Sequence, residues 1–202
     1  MKVINIDQHR SLNKQLKSVI TKTRLDTVFI YPTDTIYGLG CNIFSKEAIN
    51  RISNIKKRSQ NTPFSFICKD ITQVSEFAVI ADWAYGMINN CLPGPYTFIL
   101  EARKTNIPTN MLGERNTVGV RIPGNNVCQT ILELIEQPIL STSVNLSGQE
   151  PIHDPSQFPK EFLSKVDVII SAGLLENKPS TVIDISGSKP ILIRAGKGEI
   201  PW

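Results

Sequence analysis

Short apolar runs of strand type take turns with helical stripes through the first two-thirds of this chain, and few folds accept such a pattern. Leu12, Leu16, Val19 and Ile20 recur at helical spacing, which predicts an amphipathic helix within 8–24. Val28-Phe29-Ile30-Tyr31 then forms a strand-like run that stops at Pro32. Ser45 is a natural N-cap with Glu47 in the first turn, and Ala48, Ile49, Ile52 and Ile55 supply a buried stripe. This second helix ends in Lys56-Lys57-Arg58, where cations suit the negative end of the helix dipole. A strand at 64–68, helices at 71–78 and 82–91, strands at 96–102 and 117–122 and a helix at 125–136 follow. The run from Pro138 through Asn145 reads as a strand, and so do 166–170, 181–185 and 190–194. Strands thus cluster in the last third with few helices between them. That arrangement predicts an α/β fold with a mixed sheet covered by helices. No internal repeat or long linker divides the chain, so 1–202 reads as a single domain.

Composition narrows the function. With 41% hydrophobic and 20% charged residues, the chain can bury a core and is not of the disordered class. The segment Met1–Asp7 has too short an apolar run for a secretory leader, and no run of about 18 apolar residues occurs, so a cytosolic protein is expected. Cys41, Cys68, Cys91 and Cys128 stand singly, which predicts buried thiols. His9 and His153 are the only histidines, which argues against a Cys/His zinc site and against histidine-dependent nucleophilic catalysis. The net charge of +4 is compatible with nucleotide or RNA partners, and equally with an ordinary solvated surface.

Polar stretches that interrupt apolar strands mark where chemistry could sit. Tyr31-Pro32-Thr33-Asp34-Thr35-Ile36-Tyr37-Gly38-Leu39-Gly40-Cys41 has two glycines that permit close backbone approach; it reads equally as a turn in which Asp34 and Thr35 bond their own backbone. Lys56 and Arg58 could hold a triphosphate or carboxylate, or simply form a solvated helix end. In Ser141-Thr142-Ser143-Val144-Asn145, a continued strand would put Ser143 and Asn145 on one face; a hydroxyl-rich turn is the alternative. Arg121 sits inside the strand-like Val118-Gly119-Val120-Arg121-Ile122 and needs an anion. Arg194, ahead of Gly196, could close over phosphate or pair with Asp184. Neither a GxxxxGK[ST] nor a GxGxxG pattern occurs, so separate side chains must hold any phosphates; Lys56, Arg58 and Arg194 are the cations available.

In this order the stretches resemble the YrdC-like family of threonylcarbamoyl-AMP synthases. The resemblance rests on PTDTIYGLGC at 32–41, KxR at 56–58, LPGPYTFIL at 92–100, VGVRIP at 118–123, STSVNLSG at 141–148, STVIDI at 180–185 and RAG at 194–196. It implies a twisted mixed sheet flanked by helices around a concave, basic cavity. It also implies a reaction in which L-threonine, bicarbonate and ATP give threonylcarbamoyl-AMP and pyrophosphate, with Mg²⁺ carried by the nucleotide. A downstream tRNA threonylcarbamoyl transferase would use the product to modify adenosine 37 of tRNAs. Lys56, Arg58, Ser143 and Asn145 match the family's active-site set, and the first two are expected to be exposed in the cavity. Thr33, Thr35, Arg121 and Ser180 would meet threonine or carbamate; Ser141 and Arg194 would join Lys56, Arg58 and Asn145 at ATP. No metal ligands in the protein are implied. Ser59 stands where the family carries proline and Thr62 replaces a more polar or basic residue, while SFICKD and YTFIL are closer to the YciO branch. Two alternatives follow: a YciO-like protein that binds tRNA or double-stranded RNA with weak or no adenylation, and adenylation of a different carbamoyl or acyl substrate.

Overall fold

The computed structural model describes residues 1–7, 9–57, 64–146 and 148–202. Its strands are β1 (Lys2–Asn5), β2 (Val28–Tyr31), β3 (Gly38–Asn42), β4 (Ser65–Ile67), β5 (Ala78–Val79), β6 (Tyr96–Ala102), β7 (Thr117–Arg121), β8 (Ile139–Ser143), β9 (Val168–Ser171), β10 (Thr181–Asp184) and β11 (Ile191–Arg194). The helices are α1 (Leu12–Ile20), α2 (Lys46–Lys56), α3 (Ile71–Phe77), α4 (Asp82–Cys91), α5 (Thr109–Leu112), α6 (Asn126–Ile135) and α7 (Lys160–Leu163). The strands form one sheet in the order β1-β9-β2-β3-β8-β4-β7-β6-β10-β11, with β5 beside β6. Four neighbouring pairs are parallel (β1/β9, β9/β2, β4/β7, β6/β10) and the others antiparallel, which is the mixed sheet the sequence predicts.

Side chains alternate across the sheet, so each strand feeds two layers. Val28 and Ile30, Leu39 and Cys41, Phe66, Leu140, Phe98, Val120 and Ile183 face one layer, where they meet Ile49 and Ile52 of α2, Val74 of α3, Ile88 of α4 and Phe162 of α7. Phe29, Tyr31, Ile67, Ile139, Val168 and Ile170 face the other, beneath Leu16 and Val19 of α1 and Val127 and Ile131 of α6. Each fully buried aliphatic or aromatic side chain contributes about 1.5–3 kcal/mol through removal from water. Helices α1 and α6 pack on each other over the β9, β2 and β8 part of their face. The β4–β7–β6–β10 part of that same face has no such cover, and it becomes the floor of a cavity.

Local chemistry explains the element ends. The Ser45 side chain accepts from Ala48 N at 3.2 Å and opens α2. The helix closes at Lys57, whose φ of 50° is left-handed and turns the chain away. Asn125 Oδ1 caps α6 by accepting from Val127 N and Cys128 N. All four cysteines are buried thiols, as expected. Among the described residues, no helix is long and apolar enough to cross a membrane.

Within 31–41 the turn is confined to the residues ahead of Gly38, and strand β3 takes the rest. Its glycines serve packing: a Cβ on Gly38 would lie 2.9 Å from Tyr31 Cζ, and one on Gly40 would lie 2.3 Å from the Leu140 carbonyl oxygen. Residues this small let the Tyr31 ring lie across the strand. The predicted strand 138–145 also ends early, at Ser143, so Asn145 lies in the following turn.

Candidate functional site

The uncovered half of the sheet floors a cavity of about 670 Å³. Ser141 and Ser143 of β8, Ser65 of β4, Gly119 and Arg121 of β7 and Thr97 of β6 all line it, and they occupy the same-face positions of their strands. Their neighbours Leu140, Phe66, Val120 and Phe98 are core residues on the reverse face. The sheet is therefore apolar behind and hydroxyl-rich in front. Gly119 keeps the floor low, because a Cβ there would sit 2.6 Å from Ser65 Oγ. Toward one end the lining turns apolar with Ile99, Val182 and Ile193.

One wall is the connection between β2 and β3. Thr33 Oγ1 lies 3.0 Å from Thr35 Oγ1 and donates to the Ile36 carbonyl at 2.7 Å, so the two buried hydroxyls stiffen the turn. The anion that Arg121 needs is Asp34: Nη2 donates to Asp34 Oδ1 and, at 2.8 Å, to Thr35 Oγ1. Both side chains of this ion pair are nearly buried, at 11% and 12% exposure. Asp34 Oδ2 also accepts from Gly124 N at 3.1 Å.

The opposite wall carries Arg194 and Ser180. Arg194 Nη2 donates to the Ser180 carbonyl at 2.9 Å, so it does not use the Asp184 partner considered from sequence, whose Oδ1 accepts from Ser186 N at 2.9 Å. The Ser180 hydroxyl lies 2.8 Å from Thr97 Oγ1. Burial, and next the charge of Arg121, pull Arg194 below the usual guanidinium range. Two guanidiniums therefore line one cavity near enough to repel one another, and Asp34 offsets the charge of Arg121 alone.

At the third side stands a polar network. Lys56, only 1% exposed, donates to the Ser143 carbonyl at 2.7 Å and to Asn145 Oδ1. This corrects the expectation that Lys56 is exposed: it stands behind Ser143 and Asn145, which line the cavity. Ser143 Oγ donates to the same Asn145 oxygen at 2.6 Å, and Asn145 Nδ2 donates to the Gln149 carbonyl. Ser143 and Asn145 thus meet although a strand does not align them. Ser141 Oγ accepts from the Tyr31 hydroxyl at 2.8 Å, which leaves Ser141 its own proton to offer. Burial pushes the Tyr31 phenol well above its usual range and keeps it a donor. Arg58, expected beside Lys56, lies outside the described residues, as do Ser59 and Thr62.

The structure thus gathers Thr33, Arg121, Ser141, Ser143, Asn145, Ser180 and Arg194 around one cavity, with Thr35 and Lys56 bonded to its lining. Sequence reasoning passed over Ser65, Thr97, Arg115 and Glu150, which also line it. For Ser65 and Thr97 a signal existed: each is a small polar residue placed beside a buried aromatic in a strand-like run. Glu150 had none. Among the described residues no group of three or more His, Cys, Asp or Glu side chains could hold a metal.

A hydroxyl-floored cavity on a mixed eleven-stranded sheet, with Arg115, Arg121 and Arg194 in its lining, is the candidate small-molecule site. The model of the Sua5/YciO/YrdC family, described as "Telomere recombination", matches residues 22–196. The chain belongs to this family. The uncharacterized protein YciO of Escherichia coli is 37% identical over 96% of this chain and 92% of its own length. The crystal structure of E. coli YciO superimposes with a TM-score of 0.87 at 34% identity, covering 98% of this chain and 96% of that one. A Pyrococcus abyssi protein named threonylcarbamoyl-AMP synthase is 32% identical over 82% of this chain and 49% of its own length. The crystal structure of P. abyssi Sua5 complexed with L-threonine matches with a TM-score of 0.88 at 28% identity, over 97% of this chain and 58% of that one.

Proposed function

We propose that the chain is an L-threonylcarbamoyladenylate synthase, a nucleotidyltransferase acting as one domain over 1–202. The observation that carries this reading is the pair Arg121 and Arg194 facing one cavity above a floor of serine and threonine hydroxyls. A relative of the same fold is seen with L-threonine, which supports an amino acid as one substrate.

In this reading the amine of L-threonine attacks bicarbonate, water leaves, and a carbamate forms. A carbamate oxygen then attacks the α-phosphorus of MgATP, and the bond to pyrophosphate breaks. Thr33, Arg121 and Ser180 receive the amino acid and its carbamate, with Thr35 holding Arg121 in place. Ser141, Asn145 and Arg194 receive the nucleotide. Lys56 acts from behind, setting the orientation of Ser143 and Asn145 while its charge favours the departing pyrophosphate. Arg58 completes the cationic set. Mg²⁺ enters with the nucleotide. The product is a mixed anhydride, so a transferase that carries it to a tRNA acceptor is the partner this chemistry calls for.

Pyrophosphate release is the test, measured with MgATP and bicarbonate in the presence of threonine, serine or no amino acid. Release that requires threonine and bicarbonate, with threonylcarbamoyl-AMP identified by mass, is expected. A folded protein that binds tRNA yet releases no pyrophosphate would replace this reading with the RNA-binding one.

A further inference from the structure

Tyr31 reaches farther than its packing requires. Its ring lies in the apolar layer beneath α1 and α6 with Phe29 and Ile139, where a phenylalanine would fill the same space. The side chain is fully buried yet ends in a hydroxyl, which costs free energy in an apolar layer unless it is bonded. The partner is Ser141 Oγ at 2.8 Å, and it stands two strands away, since β2 pairs with β3 and β3 with β8. Neighbouring strands lie about 4.8 Å apart, so the hydroxyl is carried across the whole width of β3. Gly38 and Gly40 open that path: a Cβ on the first would lie 3.1 Å from the phenol oxygen, and one on the second 3.0 Å from Tyr31 Cε1. Three residues, Tyr31, Gly38 and Gly40, thus cooperate to bring one proton to one serine.

What the contact does follows from valence. A serine hydroxyl carries one proton and can accept two. Tyr31 is the donor here, and burial keeps its proton in place. Ser141 therefore spends a lone pair on the phenol, and its own proton must find an acceptor elsewhere. Its register neighbours offer none. Gly40 has no side chain, and Ser65 leans its Oγ over Gly119, where an added Cβ would meet it at 2.6 Å. The remaining direction is the cavity that Ser141 lines. For packing alone the pair is unnecessary, because apolar groups of the same shape replace two bonded partners at little cost.

We infer that Tyr31 is a positioning residue that fixes the Ser141 hydroxyl as a hydrogen-bond donor to an acceptor oxygen of the ligand. The inference rests on reading the cavity as the synthase site, where that oxygen belongs either to the nucleotide or to the amino acid. Tyr31 touches no ligand itself. It removes the alternatives open to Ser141, free rotation and use as an acceptor, before the ligand arrives.

Calorimetry with MgATP and, separately, with L-threonine shows which ligand supplies that oxygen, since Ser141→Ala weakens the one concerned. Tyr31→Phe, which removes a single buried oxygen and leaves the ring, should weaken the same ligand by about three- to tenfold and leave the other unchanged. In the double variant Tyr31→Phe/Ser141→Ala the affinity should equal that of Ser141→Ala alone, because Tyr31 acts only through Ser141. A merely structural phenol would cost the same in both backgrounds. Ser141→Cys, whose sulfur still accepts weakly from the phenol, replaces Ser141→Ala should that variant fold poorly. A Tyr31→Phe or Ser141→Ala chain with wild-type affinity for both ligands, or losses that simply add in the double variant, overturns the inference. Coupled losses in a chain that releases no pyrophosphate keep the inference and remove the synthase reading; normal release with additive losses does the reverse.

Discussion

Replacing Asn145 by alanine removes three hydrogen bonds at once: two that its Oδ1 accepts, from Lys56 Nζ and Ser143 Oγ, and one that its Nδ2 donates to Gln149 O. The bond from the ammonium is charge-assisted and contributes about 1.5–3 kcal/mol, the neutral bonds about 0.5–1.5 kcal/mol each. Because the three belong to one network their losses do not simply add, and about 3 kcal/mol is the working figure. For a chain of this size each kilocalorie lowers the melting temperature by about 2–4 °C, so a fall of about 6–12 °C is expected. Asn145→Asp keeps the acceptor for Lys56 and Ser143 and gives up only the donor to Gln149, so it should fall by less than half as much. The Gln149 tether also matters to function, since Gln149, Glu150 and Pro151 form part of the cavity wall. Thermal melts followed by circular dichroism provide the assay, with urea midpoints as an independent measure. An alanine variant that melts within about a degree of wild type would refute the network as the brace of this wall.

Gly119→Ala pushes a methyl group into the cavity floor against Ser65 Oγ, a side chain able to rotate, so folding should survive while ligand affinity drops by about 1–3 kcal/mol through overpacking; unchanged affinity by calorimetry would remove Gly119 from the floor. Arg194→Met takes away a charge that burial and Arg121 already disfavour, so it should weaken MgATP binding without lowering the melting temperature; a large thermal loss would mean Arg194 is structural. Burial pushes the Cys41 thiol up to about 12 and raises Cys68 and Cys128 as well. The native state therefore holds these protons after the unfolded chain, with thiols near 9, has released them. Stability is fully present below about pH 9 and falls as pH rises toward 12, by about 1.4 kcal/mol per pH unit for each thiol. A thiol-specific chromogenic reagent at pH near 8 should label none of the four cysteines until denaturant is added, and fast labelling of the native protein would contradict their burial.

Much of this architecture can be read from local pattern. The α2 helix announces itself through Ser45, the Ala48–Ile55 stripe and the cationic end, and the structure adds only the left-handed turn at Lys57. The strands β6 and β7 carry their two-faced character openly, apolar Phe98, Leu100, Val118 and Val120 alternating with Thr97, Gly119 and Arg121. Strand β3 was hidden because Gly38 and Gly40 are there for the Tyr31 ring, a demand made by another strand rather than by their own neighbours. Lys56 was misjudged for a related reason. A lysine in a basic run at a helix end reads as solvated, although Lys56 follows Ile52 by one turn on the buried stripe, and its acceptors lie 87 and 89 positions away. Arg121 did advertise its need for an anion, but the identity of Asp34, 87 positions earlier, is a fact of topology.

The strand order also sets a timetable. Strand β1 begins at Lys2 yet among the described residues pairs only with β9, at Val168–Ser171, and β2 lies between β9 and β3. Lys2–Asn5 must therefore wait for Val168–Ser171 before their strand hydrogen bonds exist. The cavity floor is under the same constraint, since Ser65 of β4 and Val182 of β10 belong to one surface. Pairings this distant in sequence make for slow folding, because loop closure must precede the contacts that reward it. On a ribosome Val28–Tyr31 can pair early with Gly38–Cys41 on one edge, but its other edge stays open until Val168–Ile169 has been made, and an open apolar strand edge is what chaperones shield.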